Sequence, residues 1–218
     1  MKPALRILIA DDHELIRRGL RAVLALRPQW EVCGEAANGR EAVELARTTR
    51  PHVVIMDLTM PELNGLEATR QIRRLVPTCE VLILTVHHSE QLVHEVLAAG
   101  ARGYLLKSDA GHAILDAIEN LSQHKPYFTG RVSELLLDAY LEAERAGTAV
   151  VLPETLTPRE REVLQAIAEG KSSKEMAVAL GISEATAETH RSNLMRKLNV
   201  HSVSEVVRYA IRNKIIEP

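Results

Sequence analysis

Residues 52–65 read HVVIMDLTMPELNG, a short apolar run that stops at Asp57 and gives way to a loop holding Pro61 and Gly65. A continuous apolar run bounded by turn formers predicts a strand buried on both faces. Four similar runs flank it: 5–10 (LRILIA), 31–36 (EVCGEA), 80–84 (EVLIL) and 103–106 (GYLL). Between them, residues 13–26, 39–49, 63–75, 89–99 and 110–122 carry apolar side chains at helical spacing. This βα alternation, five times over, predicts an α/β domain whose parallel sheet has helices on both faces.

The polar residues fall at particular places on this map. Asp11 and Asp12 follow the first strand, Asp57 the third, Thr85 the fourth and Lys107 the fifth. In an open parallel sheet all carboxyl ends share one edge, where ligands bind. Taken singly, each acid reads as a helix cap or solvated loop residue, and Lys107 as a surface lysine. Taken together, three carboxylates at one edge repel one another and require a cation. An all-oxygen donor set suits Mg2+, which favours a phosphate partner. A lysine and a hydroxyl beside it complete a set suited to phosphoryl transfer onto a carboxylate, with Asp57 as the attacking group.

This half resembles the receiver domain of two-component response regulators. The matching residues are Asp11-Asp12, Asp57 in DLTMP, Thr85 in LTV and Lys107 in GYLLK, with Pro61 and Gly65 fitting the loop. The resemblance implies a flavodoxin-like (βα)5 fold over residues 1–125 with strand order 2-1-3-4-5. It also implies a sensor histidine kinase as phosphoryl donor to Asp57, and Mg2+ held by Asp11, Asp12, Asp57 and the carbonyl of Thr59. Thr85, Lys107 and Tyr104 would stabilise the phosphoryl group and switch with it, Tyr104 turning inward. Among the histidines, His13, His87 and His88 fall near this edge and read as polar loop residues.

Residues 130–146 (GRVSELLLDAYLEAERA) predict a further helix, and GTAVVLPET at 147–155 an interdomain linker, so that the connection spans 126–155. From 156 to 218 the pattern is all helix. Thr157-Pro158-Arg159-Glu160 is a capping box with Pro at the first helical position. Gly170 stops that helix, a short one runs from 173 to Gly181, Ser183 caps another to 198, and Ser202-x-x-Glu205 opens the last. A helix, a glycine-containing turn and a second helix are the grammar of a helix-turn-helix. Ala187, Leu194 and Leu198 form its inward stripe, whereas Glu188, Ser192 and Arg196 recur on another face. Short patterns of this kind also occur in ordinary helical bundles. The local charge adds to it: residues 190–214 hold Arg191, Arg196, Lys197, Arg208, Arg212 and Lys214 against Glu205 alone, and phosphate neutralisation dominates DNA affinity.

Residues 156–216 are similar to the LuxR-type domain of the NarL/FixJ subfamily, through LTPREREVLQAIAEGKSSKEMA, LGIS and THRSNLMRKL. The resemblance makes 184–198 the recognition helix on double-stranded promoter DNA. Lys171, Lys174, Thr186 and Arg196 would touch phosphates; Glu188, Thr189 and Ser192 would face bases, with Arg191 at backbone or base. Glu188 stands where many relatives have Lys, so it either accepts from cytosine N4 or repels phosphate. The last helix, with Val203, Val206, Val207 and Ala210 at helical spacing, would pair two copies on an inverted repeat, part of that stripe packing inward. In relatives the unphosphorylated receiver can cover the recognition helix, and phosphorylation shifts the equilibrium to an open, dimeric form.

The composition is compatible with this reading. The chain has 218 residues, 46% hydrophobic, 3% aromatic, with net charge -2, which suits two small domains with aliphatic cores. Cys33 and Cys79 lie in no metal or redox spacing and read as small buried residues. The N-terminal MKPALRILIADD is no signal peptide and no run is long enough to span a bilayer, so a cytoplasmic protein without membrane partners is expected. A phosphohydrolase with an aspartyl nucleophile would usually carry a second acid at position 59, where Thr59 stands; the chain is expected not to be an enzyme. A quorum regulator would need an aromatic-rich ligand domain, and a degenerate receiver would lack part of the acidic set.

Overall fold

The computed structural model describes residues 4–86, 90–130, 132–134, 156–198, 200–213 and 215–216. The first part alternates β1 (Leu5–Ala10), α1 (Glu14–Leu24), β2 (Trp30–Ala36), α2 (Gly39–Thr49), β3 (Val53–Met56), α3 (Gly65–Leu75), β4 (Glu80–Thr85), α4 (Glu90–Ala98), β5 (Gly103–Leu106) and α5 (Ala110–Ser122). The strands pair in parallel in the order β2-β1-β3-β4-β5, and a two-residue strand β6 (Tyr127–Phe128) adds beside β5. The boundary expected at residue 125 therefore cuts off one strand. Tyr127 and Phe128 are too short a run to register as a strand in sequence; the backbone of β5 recruits them, Gly103 opposite Tyr127.

Alternation along each strand explains the two-sided cover. Leu8, Val54, Met56, Val81 and Ile83 point to one face, into a core shared with α2, α3 and α4. Ile7, Ile9, Ile55, Leu82 and Leu84 point to the other, with α1 and α5. Both sets are fully buried, which is why these strands read as unbroken apolar runs. Asn38 and Asn64 cap α2 and α3 by accepting from Glu41 N and Glu67 N. Such caps hold each helix start where its strand ends.

Of the helix expected over 130–146, residues 130 and 132–134 are helical and the rest lies outside the described residues. The C-terminal part forms α6 (Pro158–Ala168), α7 (Ser173–Leu180), α8 (Glu184–Lys197) and α9 (Val203–Arg212). Thr157 and Ser172 make reciprocal capping boxes with Glu160 and Glu175. Ser202 caps α9 by accepting from Glu205 N, while the Glu205 side chain accepts from His201 N and so does not close a reciprocal box. Gly181 takes a left-handed φ of 63° to end α7, a conformation that costs glycine little. Val163, Leu164, Ile167, Met176, Ala187 and Leu194 fill this second core, joined by Val206 and Ala210.

Candidate functional site

The predicted convergence occurs. At the carboxyl edge of the sheet, Lys107 Nζ lies 2.8 Å from Asp57 Oδ2 and 2.8 Å from Asp11 Oδ2. Asp57 Oδ1 accepts from Leu58 N at 2.8 Å. Asp11 and Asp57 are buried, as are Thr59, Thr85 and Tyr104, while Asp12 is exposed. Burial pushes the Asp57 carboxyl up to about 6, against the pull of Lys107. For Lys107, burial works to lower the ammonium, but its contacts with Asp11 and Asp57 outweigh it and hold it above the usual range. The site thus keeps two opposed tendencies in balance: burial that disfavours the charge on Asp57 and a cation that the carboxylates retain.

The geometry fits a divalent cation. Ligand atoms of Asp11, Asp12, His13 and Asp57 lie within 4.8 Å of one another. Thr59 Oγ1 is buried without a hydrogen bond, a costly arrangement unless a further group binds, and Asp11 Oδ2 is met by Lys107 alone. His13, read from sequence as a loop residue, is drawn in: its Nδ1 is 2.8 Å from Asp12 Oδ1 and its backbone N–H donates to Asp11 Oδ1. Carboxylate oxygens remain the harder donors. His87 and His88 lie outside the described residues. Thr85 closes the fourth strand, and its carbonyl accepts from Lys107 N at 2.8 Å. Tyr104 is fully buried.

The loop from Leu58 to Asn64 is tightly seated. Gly65 N donates to Leu58 O, and a Cβ on Gly65 would stand 1.8 Å from the carbonyl oxygen of Asp57. That explains why the loop ends in glycine.

On the second domain, α8 presents Thr186, Glu188, Thr189, Ser192 and Arg196 to solvent, with Arg191 half-buried. Lys174 is exposed, whereas Lys171 is half-buried and paired with Glu169 at 2.9 Å. The expected stripe on α9 divides. Val206 and Ala210 are fully buried in the domain's own core and are not available to a second copy, whereas Val203 is 40% exposed. Val207 is half-buried.

The receiver does not cover the recognition face. Its contacts are with α6 instead, through Arg161 and Gln165 on that helix. Gln165 Nε2 donates to Met60 O, its Oε1 accepts from Asn64 N, and Glu169 accepts from Glu62 N. Arg161 pairs with Glu95 at 3.2 Å, and Gln71 donates to Glu162. Sequence reasoning missed these residues. Gln165 has the look of one polar position among many; the signal available was the run Val163, Leu164, Ala166 and Ile167 around it, which is apolar over more of the helix than one partner needs.

A five-helix parallel α/β domain with a carboxylate–lysine edge, joined to a helix-turn-helix unit, defines a receiver coupled to a DNA-binding output domain. Residues 7–119 match the response regulator receiver domain, and residues 154–210 match the bacterial regulatory proteins of the luxR family. The chain belongs to the two-component response regulators of the NarL/FixJ subfamily. It is 39% identical to the transcriptional regulatory protein LiaR of Bacillus subtilis, over 97% of this chain and 99% of that one. It is 37% identical to the transcriptional regulatory protein MctR of Rhizobium johnstonii, over 99% and 97%. Its fold is similar to RcsB from Salmonella enterica serovar Typhimurium, solved bound to promoter rprA in the presence of the phosphomimetic BeF3- (TM-score 0.60, 27% identity, 94% and 98% covered). Among the described residues no helix is long and apolar enough to cross a membrane.

Proposed function

We propose that Asp57 is the phosphoacceptor of this regulator, that Mg2+ serves the transfer, and that a sensor histidine kinase supplies the phosphoryl group. The observation that carries this reading is the placement of Lys107 Nζ between Asp57 and Asp11 at 2.8 Å from each. A carboxylate oxygen of Asp57 attacks the phosphorus in line; the bond from phosphorus to the donor's nitrogen breaks, and the electron pair leaves with the donor. Lys107 turns its charge from the carboxylates to the oxygens of the incoming group, with Thr85 beside it as a hydroxyl donor. Asp11, Asp12, Asp57 and the carbonyl of Thr59 would hold Mg2+, which neutralises charge on the transferring oxygens. Thr59 stands where a hydrolase would place a second acid, so the acyl phosphate persists as a signal and the chain is not a turnover enzyme.

The output is promoter binding in the cytoplasm. The exposed face of α8 enters the major groove, Arg196, Lys171, Lys174 and Thr186 on phosphates and Glu188, Thr189 and Ser192 toward bases, Arg191 at its edge. Phosphorylation favours a dimer on an inverted repeat, with exposed Val203 and half-buried Val207 as the accessible part of the α9 surface. The test is the intact mass of the full chain after incubation with acetyl phosphate and Mg2+. Wild type gains one phosphoryl group and Asp57→Asn none; equal labelling of both would remove Asp57 from the role.

A further inference from the structure

We propose that His13 adds a nitrogen donor to the cation site beside Asp57, so that the receiver takes up a borderline divalent cation such as Mn2+ or Co2+ in preference to Mg2+. The proposal deepens the cation reading above and rests on it.

His13 stands at the N-cap of α1, a position where a short polar side chain ordinarily accepts from the first turn. Asn38 and Asn64 do so at the starts of α2 and α3. The side chain of His13 makes no cap hydrogen bond. It turns to the acids instead. Its Nδ1 lies 2.8 Å from Asp12 Oδ1 and 3.3 Å from Asp11 Oδ1, and the residue's own N–H donates to Asp11 Oδ1 at 2.9 Å. The ring is thus fixed both from its backbone end and from its nitrogen, although 55% of the side chain is exposed.

These spacings are those of neighbouring ligands on one ion. Bonds of about 2.0–2.2 Å at right angles put adjacent donors roughly 3 Å apart and opposite donors roughly 4.2–4.4 Å apart. The donor atoms of Asp11, Asp12, His13 and Asp57 fall within 4.8 Å of one another, so the set closes on one ion with little movement. Asp11 and Asp57 are buried and share Lys107. Asp12 and His13 are exposed, at the open side from which a hydrated cation arrives.

The donor chemistry sets the preference. Mg2+ keeps to oxygen ligands and to its own waters, whereas affinity for an imidazole nitrogen rises along the transition series from Mn2+ through Co2+. A neutral imidazole binds such an ion through Nδ1 and carries its hydrogen on Nε2. Any of these ions supplies the charge that the transferring oxygens need; His13 decides which of them occupies the site at a given supply.

The test uses the full chain with Mn2+, Co2+ and Mg2+ as probes. Pulsed electron paramagnetic resonance of bound Mn2+ detects a directly bound nitrogen, and titration with each ion gives its affinity. His13→Asn removes the imidazole and supplies a strong N-cap residue, so α1 is retained. The expected result is nitrogen coupling in wild type and none in His13→Asn, with Co2+ affinity reduced by about tenfold or more, the lower end of what losing even an outer partner of a metal costs. Mg2+ affinity should change less, and the unfolding temperature in chelator should be no lower than that of wild type. A residue that merely held α1 in place would shift all three ions alike and lower the unfolding temperature. Oxygen-only coordination in wild type, coupling that persists in His13→Asn, or the same ratio of Co2+ to Mg2+ affinity in both proteins overturns the role of His13 and leaves the cation site standing. Absence of Mn2+ binding by wild type, or equal binding by Asp57→Asn, overturns the cation reading and the role of His13 with it.

Discussion

Lys107 donates to Asp57 Oδ2 across 2.8 Å, joining the carboxyl ends of β5 and β3, and the same ammonium reaches Asp11. Without a metal, Lys107 is the cation that lets two buried carboxylates coexist. Lys107→Met should lower the stability of the metal-free protein by about 2–4 kcal/mol, because breaking a buried pair strands the remaining charges. Mg2+ should return part of that loss. Thermal unfolding in chelator and in excess Mg2+ reads both effects; a variant as stable as wild type in chelator would show that the pair contributes nothing.

The pH dependence follows from Asp57. Its carboxyl is raised to about 6 in the folded protein, from 3.8. A raised carboxyl contributes most below its unfolded value, and that contribution is lost as pH rises through the folded one. The stability of Asp57→Asn relative to wild type, without metal, should thus grow between about pH 4 and pH 6 and level off above. Its full span is on the order of 3 kcal/mol at 1.36 kcal/mol per pH unit. Urea denaturation of both proteins across that range checks it, and a flat difference would contradict the burial of Asp57.

Gly65→Ala should be severe. The new Cβ would meet backbone, at 1.8 Å from Asp57 O and 2.8 Å from its carbon, and neither can yield as a side chain would. A loss of about 2–4 kcal/mol is expected from such overpacking. Gly111→Ala, with nothing within 4 Å of its Cβ, is the control and should be neutral or slightly stabilising in α5.

On DNA, Arg196→Ala should weaken binding to all sequences alike and reduce the slope of log affinity against log salt by about 0.9, the value for one phosphate contact. Glu188→Ala discriminates the two readings of that position. Uniformly tighter binding marks a residue that repels phosphate, whereas loss of discrimination at one base pair, worth about 1–3 kcal/mol, marks a base reader.

The carboxylate–lysine edge was legible because each of its residues sits at the end of a strand that the apolar pattern marks. Asp11, Asp57, Thr85 and Lys107 needed only the strand map to be brought together. The helix starts at Thr157 and Ser183 were legible because capping chemistry is local. What the sequence concealed was non-local. β6 exists because β5 offers a free edge, not because Tyr127 and Phe128 form a strand pattern. The α9 stripe was expected to pack partly inward, but which of its residues do so was not readable; Val206 and Ala210 are the ones in the core. Gln165 bonds to backbone atoms of Met60 and Asn64, about a hundred residues away, and backbone partners leave no mark on side-chain identity at either end.

The most direct test is selection of DNA from a random-sequence pool by wild type and Asp57→Asn, each with and without acetyl phosphate and Mg2+. The account predicts a short inverted repeat enriched by phosphorylated wild type, and no such gain for Asp57→Asn. Equal enrichment in all four arms would contradict it, leaving a DNA-binding protein whose output does not depend on Asp57.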